Sequence, residues 1–150
     1  MGNICRSPTA EGVFREFVRR AGMVGRIETD SCGTISFHSG SPPDPRAQAA
    51  ARQRGYDLSD LRARALSPDD FERFDYVLAM DAENLRYLEE HCADRHRDRI
   101  RLFLDFAGPT VEEFEVPDPY YGGDAGFERV LDLIEAGARG LLEHIRSNQP

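Results

Sequence analysis

The chain has 150 residues, 40% of them hydrophobic, which is enough for the core of one compact domain. Its 27 acidic and 19 basic residues give a net charge of −8, which disfavours non-specific nucleic-acid binding. It contains no run of 18 apolar residues and no basic-then-apolar leader, so a soluble, cytoplasmic protein without membrane association is expected. Cys5, Cys32 and Cys92 follow no CxxC or zinc spacing, which argues against a disulfide framework and a metal site.

Gly2 and Asn3 tolerate positive φ and can turn successive backbone N–H groups inward around an anion. Ser7 suits the N-cap, and Pro8 the first position, of a helix whose buried face reads Ala10, Val13, Phe14, Phe17, Val18 and Ala21 before Gly22 ends it. The positive end of that helix points at the loop, and Arg6 adds a planar fork able to hold two oxygens of a phosphate or arsenate. The same residues also fit a plain turn before a helix, with Arg6 a solvated surface charge; so short a motif does not decide between the two.

Arg26 to Ser31 is a weak strand candidate. Asp44-Pro45 opens an alanine-rich helix ending near Gly55, and Ser67-Pro68 starts a short one reaching about Phe74. Tyr76 to Met80 is a continuous apolar run suited to a strand covered on both faces, and Asp81 caps a helix through about His91. Ile100 to Phe106 supplies the last strand. Phe127, Val130, Leu131, Ile134, Ala138, Leu141, Leu142 and Ile145 then mark a long closing helix. This alternation predicts an α/β fold with a parallel sheet and helices on both faces, its ligand site beyond the carboxyl ends of the strands. Asp118 lies after the last strand, hemmed by Pro117 and Pro119, where it reads either as an ordinary turn aspartate or as a carboxyl held over a site. His38, His91, His96 and His144 lack metal-ligand spacing and read as surface residues.

Gly2-Asn3-Ile4-Cys5-Arg6-Ser7-Pro8, Asp30-Ser31-Cys32-Gly33-Thr34, Pro43-Asp44-Pro45-Arg46-Ala47, Arg62-Ala63-Arg64, Asp70-Phe71, Phe74-Asp75, Ala79-Met80-Asp81, Asn84-Leu85 and Pro117-Asp118-Pro119-Tyr120-Tyr121-Gly122 resemble, in order, the landmarks of low-molecular-weight protein tyrosine phosphatases. The resemblance spans nearly the whole chain. It implies a three-layer fold around a small parallel sheet, four-stranded in that family, with the first strand absent here. It also implies a phosphate loop formed by Gly2, Asn3, Ile4, Cys5, Arg6 and Ser7, supported by Asn3 and Ser31. Asp118 becomes the general acid, and Tyr120 and Tyr121 become one wall of the substrate cleft. Phe37 is either the opposite wall or a loop aromatic packed on the core. The implied substrate is a phosphotyrosine protein or a small aryl phosphate, with no cofactor.

The family pattern Cys-x5-Arg-Ser places the nucleophilic cysteine immediately before Met1. Cys5 resembles the second loop cysteine and is too close to Arg6 to attack a phosphate held there. The 150-residue chain is therefore expected to be inactive, either because its true start lies upstream or because it is a phosphate-binding pseudophosphatase. The absence of lysine beside 19 arginines hints at GC-rich coding DNA, where an upstream start is easily missed. Losing a central strand would leave buried backbone groups unpaired at roughly 1–3 kcal/mol each, against a total stability of about 5–15 kcal/mol, so poor folding is expected. Arsenate reductase is a third reading, weakened because Cys32 and Cys92 are not spaced as a redox pair. Leu61 stands where the bacterial pattern Asp-Leu-Ser-x-His-x-Ala-Arg has histidine, leaving that part of the loop support open.

Overall fold

The alternation of apolar residues along Tyr76 to Met80 divides the interior into two layers. A computed structural model describes residues 5–36, 38–119 and 124–148. In it, β1 (Val77–Ala79) pairs in parallel with β2 (Ile100–Leu102), Val77 opposite Ile100. Successive strand side chains point to opposite faces. Tyr76, Leu78 and Met80 accordingly join a core shared with α1 (Arg6–Arg20), α2 (Pro45–Gln53) and α5 (Asp124–Ser147). Val77, Ala79 and Ile100 join a second core with Phe71 of α3 (Asp70–Arg73) and Leu88 of α4 (Ala82–His91). The arrangement is the expected α/β type, a small parallel sheet with helices on both faces.

Three elements differ from the sequence reading. The stretch from Arg26 to Ser31 is not a strand, and among the described residues the only ladder contact nearby is an isolated parallel bridge from Gly33 to Ala65. A void of about 430 Å³ separates this stretch from β1, so the two do not pair. The last strand stops at Leu102 because Phe103–Phe106 curl into a 3₁₀ turn against α5. That approach depends on two glycines: a Cβ at Gly137 would lie 2.4 Å from the Phe103 ring and one at Gly140 only 1.6 Å from the Phe106 carbonyl oxygen. Finally, α1 begins at Arg6, so Ser7 and Pro8 occupy its first turn and Cys5 takes the cap position without a side-chain bond. Gly22 ends the helix as expected, at φ 72°.

Leu61 is buried in the larger core, so an apolar contact stands where the histidine of the bacterial pattern would be. His96 is also buried, contrary to the surface reading, and neither ring nitrogen has a hydrogen-bond partner among the described residues. A lone histidine in a charged stretch carries no periodic signal that would have distinguished it.

Candidate active site

The site lies at the carboxyl end of β1, where α1 begins. Arg6 is 5% exposed, which removes the solvated-charge reading. Its Nη1 donates to Asp81 Oδ2 at 2.7 Å and to the Val116 carbonyl at 2.8 Å. Among the described residues Nε and Nη2 donate to no protein acceptor, leaving one edge of the fork for an oxyanion. Thr9 Oγ1 donates to the Cys5 carbonyl at 2.6 Å, fixing the backbone where the loop enters α1.

Asp81 does two jobs at this end of the sheet. Its Oδ1 accepts from the Asn84 N–H at 2.8 Å, capping α4 as the sequence predicts, while Oδ2 holds Arg6. Burial opposes its ionisation, but the Asn84 bond and the Arg6 guanidinium outweigh it and hold the carboxyl below the usual range. The Arg6 contact was missed because it joins positions 75 apart in sequence. The available signal was position, since Asp81 immediately follows the apolar strand at the end where such folds bind ligands.

Three bonds staple the loop carrying Asp118 to this end. Glu115 Oε2 accepts from the Ala82 N–H at 2.8 Å, the Val116 N–H donates to the Met80 carbonyl at 2.8 Å, and the Val116 carbonyl takes the bond from Arg6. Asp118 follows Val116 by two residues, at most about 7 Å of extended backbone, and is exposed. Pro119 beside it is buried and packs on Gly126 in the first turn of α5. The structure thus brings Arg6 and the Asp118 loop together.

Cys5 lies in a small apolar cluster with Ala47 and Phe127. Burial pushes its thiol up to about 12, reinforced by Asp44 and Asp118 and only partly offset by Arg46. It is therefore a neutral thiol at physiological pH and a poor nucleophile. Ser31, expected to support the loop, donates to Glu11 Oε1 of α1 at 2.6 Å, and burial holds the Glu11 carboxyl above its usual range despite that bond. Ser7 is half-buried in the first turn of α1. Gly2, Asn3, Ile4, Phe37, Tyr120 and Tyr121 lie outside the described residues. Cys32 and Cys92 are separate from Cys5: Cys32 lines the void and Cys92 sits in the smaller core, and all three are free thiols. No cluster of metal-binding side chains occurs among the described residues, and none of their helices is long and apolar enough to cross a membrane.

A family model described as low molecular weight phosphotyrosine protein phosphatase matches residues 1–150. A low molecular weight protein-tyrosine-phosphatase of Streptomyces coelicolor is 44% identical over 97% of this chain and 89% of its own length. The corresponding protein YfkJ of Bacillus subtilis is 38% identical over 99% of this chain and 94% of its own. A crystal structure of a protein tyrosine phosphatase from Entamoeba histolytica with Hepes in its active site superposes with a TM-score of 0.94 at 37% identity, covering 98% of this chain and 93% of that one. These matches lend no support to the expectation of a shortened amino terminus.

Proposed function

Because this chain belongs to the low molecular weight phosphotyrosine protein phosphatases, we propose that residues 1–150 are a single domain whose site hydrolyses aryl phosphate monoesters through a phosphocysteine. The observation that carries this reading is Arg6, buried and held on one edge by Asp81 and the Val116 carbonyl, beside the loop that presents Asp118. In the proposed reaction a thiolate attacks phosphorus while the bond to the aryl oxygen breaks, and Asp118 gives its proton to that oxygen. Water then attacks the phosphocysteine, Asp118 takes a proton from it, and cleavage of the P–S bond returns the thiolate and inorganic phosphate. Arg6 and the amides of Gly2 to Ser7 stabilise charge on the equatorial oxygens throughout. Asn3 and Ser31 steady the loop, and Phe37, Tyr120 and Tyr121 border the phenolic ring.

The attacking sulfur is not assigned to Cys5. Two observations support this: Cys5 adjoins Arg6 in sequence, and its burial with Ala47 and Phe127 pushes the thiol up, which leaves it unsuited to the role. Free thiols throughout the chain suit a reducing compartment such as the cytoplasm. The separate surroundings of Cys5, Cys32 and Cys92 disfavour arsenate reduction. The test is hydrolysis of p-nitrophenyl phosphate by the 150-residue chain and by a version preceded by an apolar strand and a cysteine. Only the extended version should turn over, with label from 32P-substrate trapped on that cysteine. Turnover by the 150-residue chain would show that the nucleophile has been misassigned. Phosphate binding by an extended chain that remains inactive would favour the non-catalytic phosphate binder.

A further inference from the structure

We infer that Phe114, with the carboxylates around it, is a docking point for the peptide that carries the phosphotyrosine, and that it selects an apolar side chain beside a lysine or arginine near the reacting residue. The inference rests on the phosphatase reading and adds the chemistry of the substrate outside its phosphorylated ring. Phe114 is the most exposed large hydrophobic side chain among the described residues, at 75%. A single apolar side chain on a loose loop would need no explanation. This one stands on a loop fixed on both sides. Glu113 pairs with Arg129 of α5, the Glu115 carboxylate accepts from the Ala82 N–H at the start of α4, and both backbone groups of Val116 are bonded. The chain bends at Phe114 and Glu115, so Val111 and Val116 pack on the larger core while the ring between them faces water.

Its position ties it to the site. Phe114 precedes Asp118 by four residues, at most about 14 Å of extended backbone, and the Val116 carbonyl between them accepts from Arg6. An extended peptide advances about 3.3 Å per residue, so a side chain within about four positions of the phosphotyrosine reaches the ring. p-Nitrophenyl phosphate has no such side chain to offer. The charges select the second feature. Glu112 and Glu115 beside Phe114, and Glu83 in the first turn of α4, are exposed carboxylates, whereas Arg129 is engaged by Glu113. A lysine or arginine next to the apolar side chain meets unlike charge on this rim, and an acidic residue there is repelled. Covering an exposed phenyl ring is worth roughly tenfold or more in affinity, so Phe114 supplies most of the preference and the carboxylates refine it.

The test compares p-nitrophenyl phosphate with three phosphotyrosine peptides in a chain carrying the attacking thiol. One peptide has leucine and lysine on each side of the phosphotyrosine, one leucine and glutamate, and one glycine and serine. The leucine-lysine peptide should have a kcat/KM about tenfold or more above that of the glycine-serine peptide, with the leucine-glutamate peptide between them. Phe114→Ala should remove the preference and Phe114→Leu retain part of it. Glu112→Lys should shift it toward the leucine-glutamate peptide, and all three variants should turn over p-nitrophenyl phosphate at the wild-type rate. Equal rates on the three peptides, or a preference that survives Phe114→Ala, would overturn this inference alone, since turnover of the small substrate would leave the phosphatase reading standing. Phe114→Ala slowing every substrate equally would also overturn it, by showing a structural role. Failure of the wild-type chain to hydrolyse p-nitrophenyl phosphate would overturn the phosphatase reading and this inference with it.

Discussion

Asp81→Asn tests whether Arg6 is held in place by a charge or only by packing. Asp81 Oδ2 lies 2.7 Å from Arg6 Nη1, with the two side chains 20% and 5% exposed. An exposed pair contributes about 0–1 kcal/mol, and breaking a fully buried one costs about 3–5 kcal/mol, so this pair should fall near 2 kcal/mol. Asparagine keeps an oxygen for the Asn84 N–H, so the helix cap, itself about 1 kcal/mol, is largely preserved and the loss reports on Arg6. For a chain of this size about 2 kcal/mol corresponds to a fall in Tm of about 4–8 °C. Urea unfolding followed by circular dichroism, on wild type, Asp81→Asn, Arg6→Met and the double variant, should give a coupling of about 1–2 kcal/mol. Acidification adds a second check. The Asp81 carboxyl is held low in the folded protein, so its contribution is present above about pH 4, where the unfolded carboxyl ionises, and is lost as pH falls through the folded value. The gap between wild type and Asp81→Asn should therefore narrow below about pH 4. Strict additivity of the two substitutions, or a gap that does not narrow in acid, would refute the electrostatic account.

In a chain carrying the thiol, Asp118→Asn should lower kcat for aryl phosphates by about 10²–10⁴ while leaving inhibition by inorganic phosphate nearly unchanged; an unaltered rate removes Asp118 from proton transfer. With its thiol pushed up to about 12, Cys5 should react with iodoacetamide at pH 8 about a thousandfold more slowly than an ordinary thiol, measured by mass spectrometry of its peptide, and reach the ordinary rate in urea. Modification of the folded chain at the ordinary rate would contradict the burial described. Gly140→Ala places a methyl against the Phe106 carbonyl, a cost of about 3 kcal/mol or more that exceeds the gain of about 1 kcal/mol in helix propensity. Its urea midpoint should fall, and a rise would mean that α5 and the 3₁₀ turn can separate without loss.

The helices were legible because each carries its own signal: the apolar face of α1, the Asp44-Pro45 start of α2, the Asp81 cap of α4 and the long stripe of α5. Pairing was less legible, since a strand exists only against a neighbour. Arg26 to Ser31, the weak strand candidate, forms no strand in the structure, and Phe103–Phe106 gives up the strand to reach Gly137 and Gly140 on α5. At the site, local motifs left Arg6 and Asp118 undecided, and the family resemblance singled them out. The hold of Asp81 and Val116 on Arg6 could not be read from the sequence, because both partners arrive from elements far along the chain.

Val116 gives that hold a wider meaning. Through its two backbone groups the loop bearing Asp118 is tied both to the end of β1 and to the guanidinium of Arg6. In the proposed reaction, anion receptor and loop clasp are thus one side chain. A shorter or uncharged residue at position 6 would set the acid adrift as well as emptying the receptor, so the penalty measured for such a variant would combine two losses and overstate what the positive charge alone contributes.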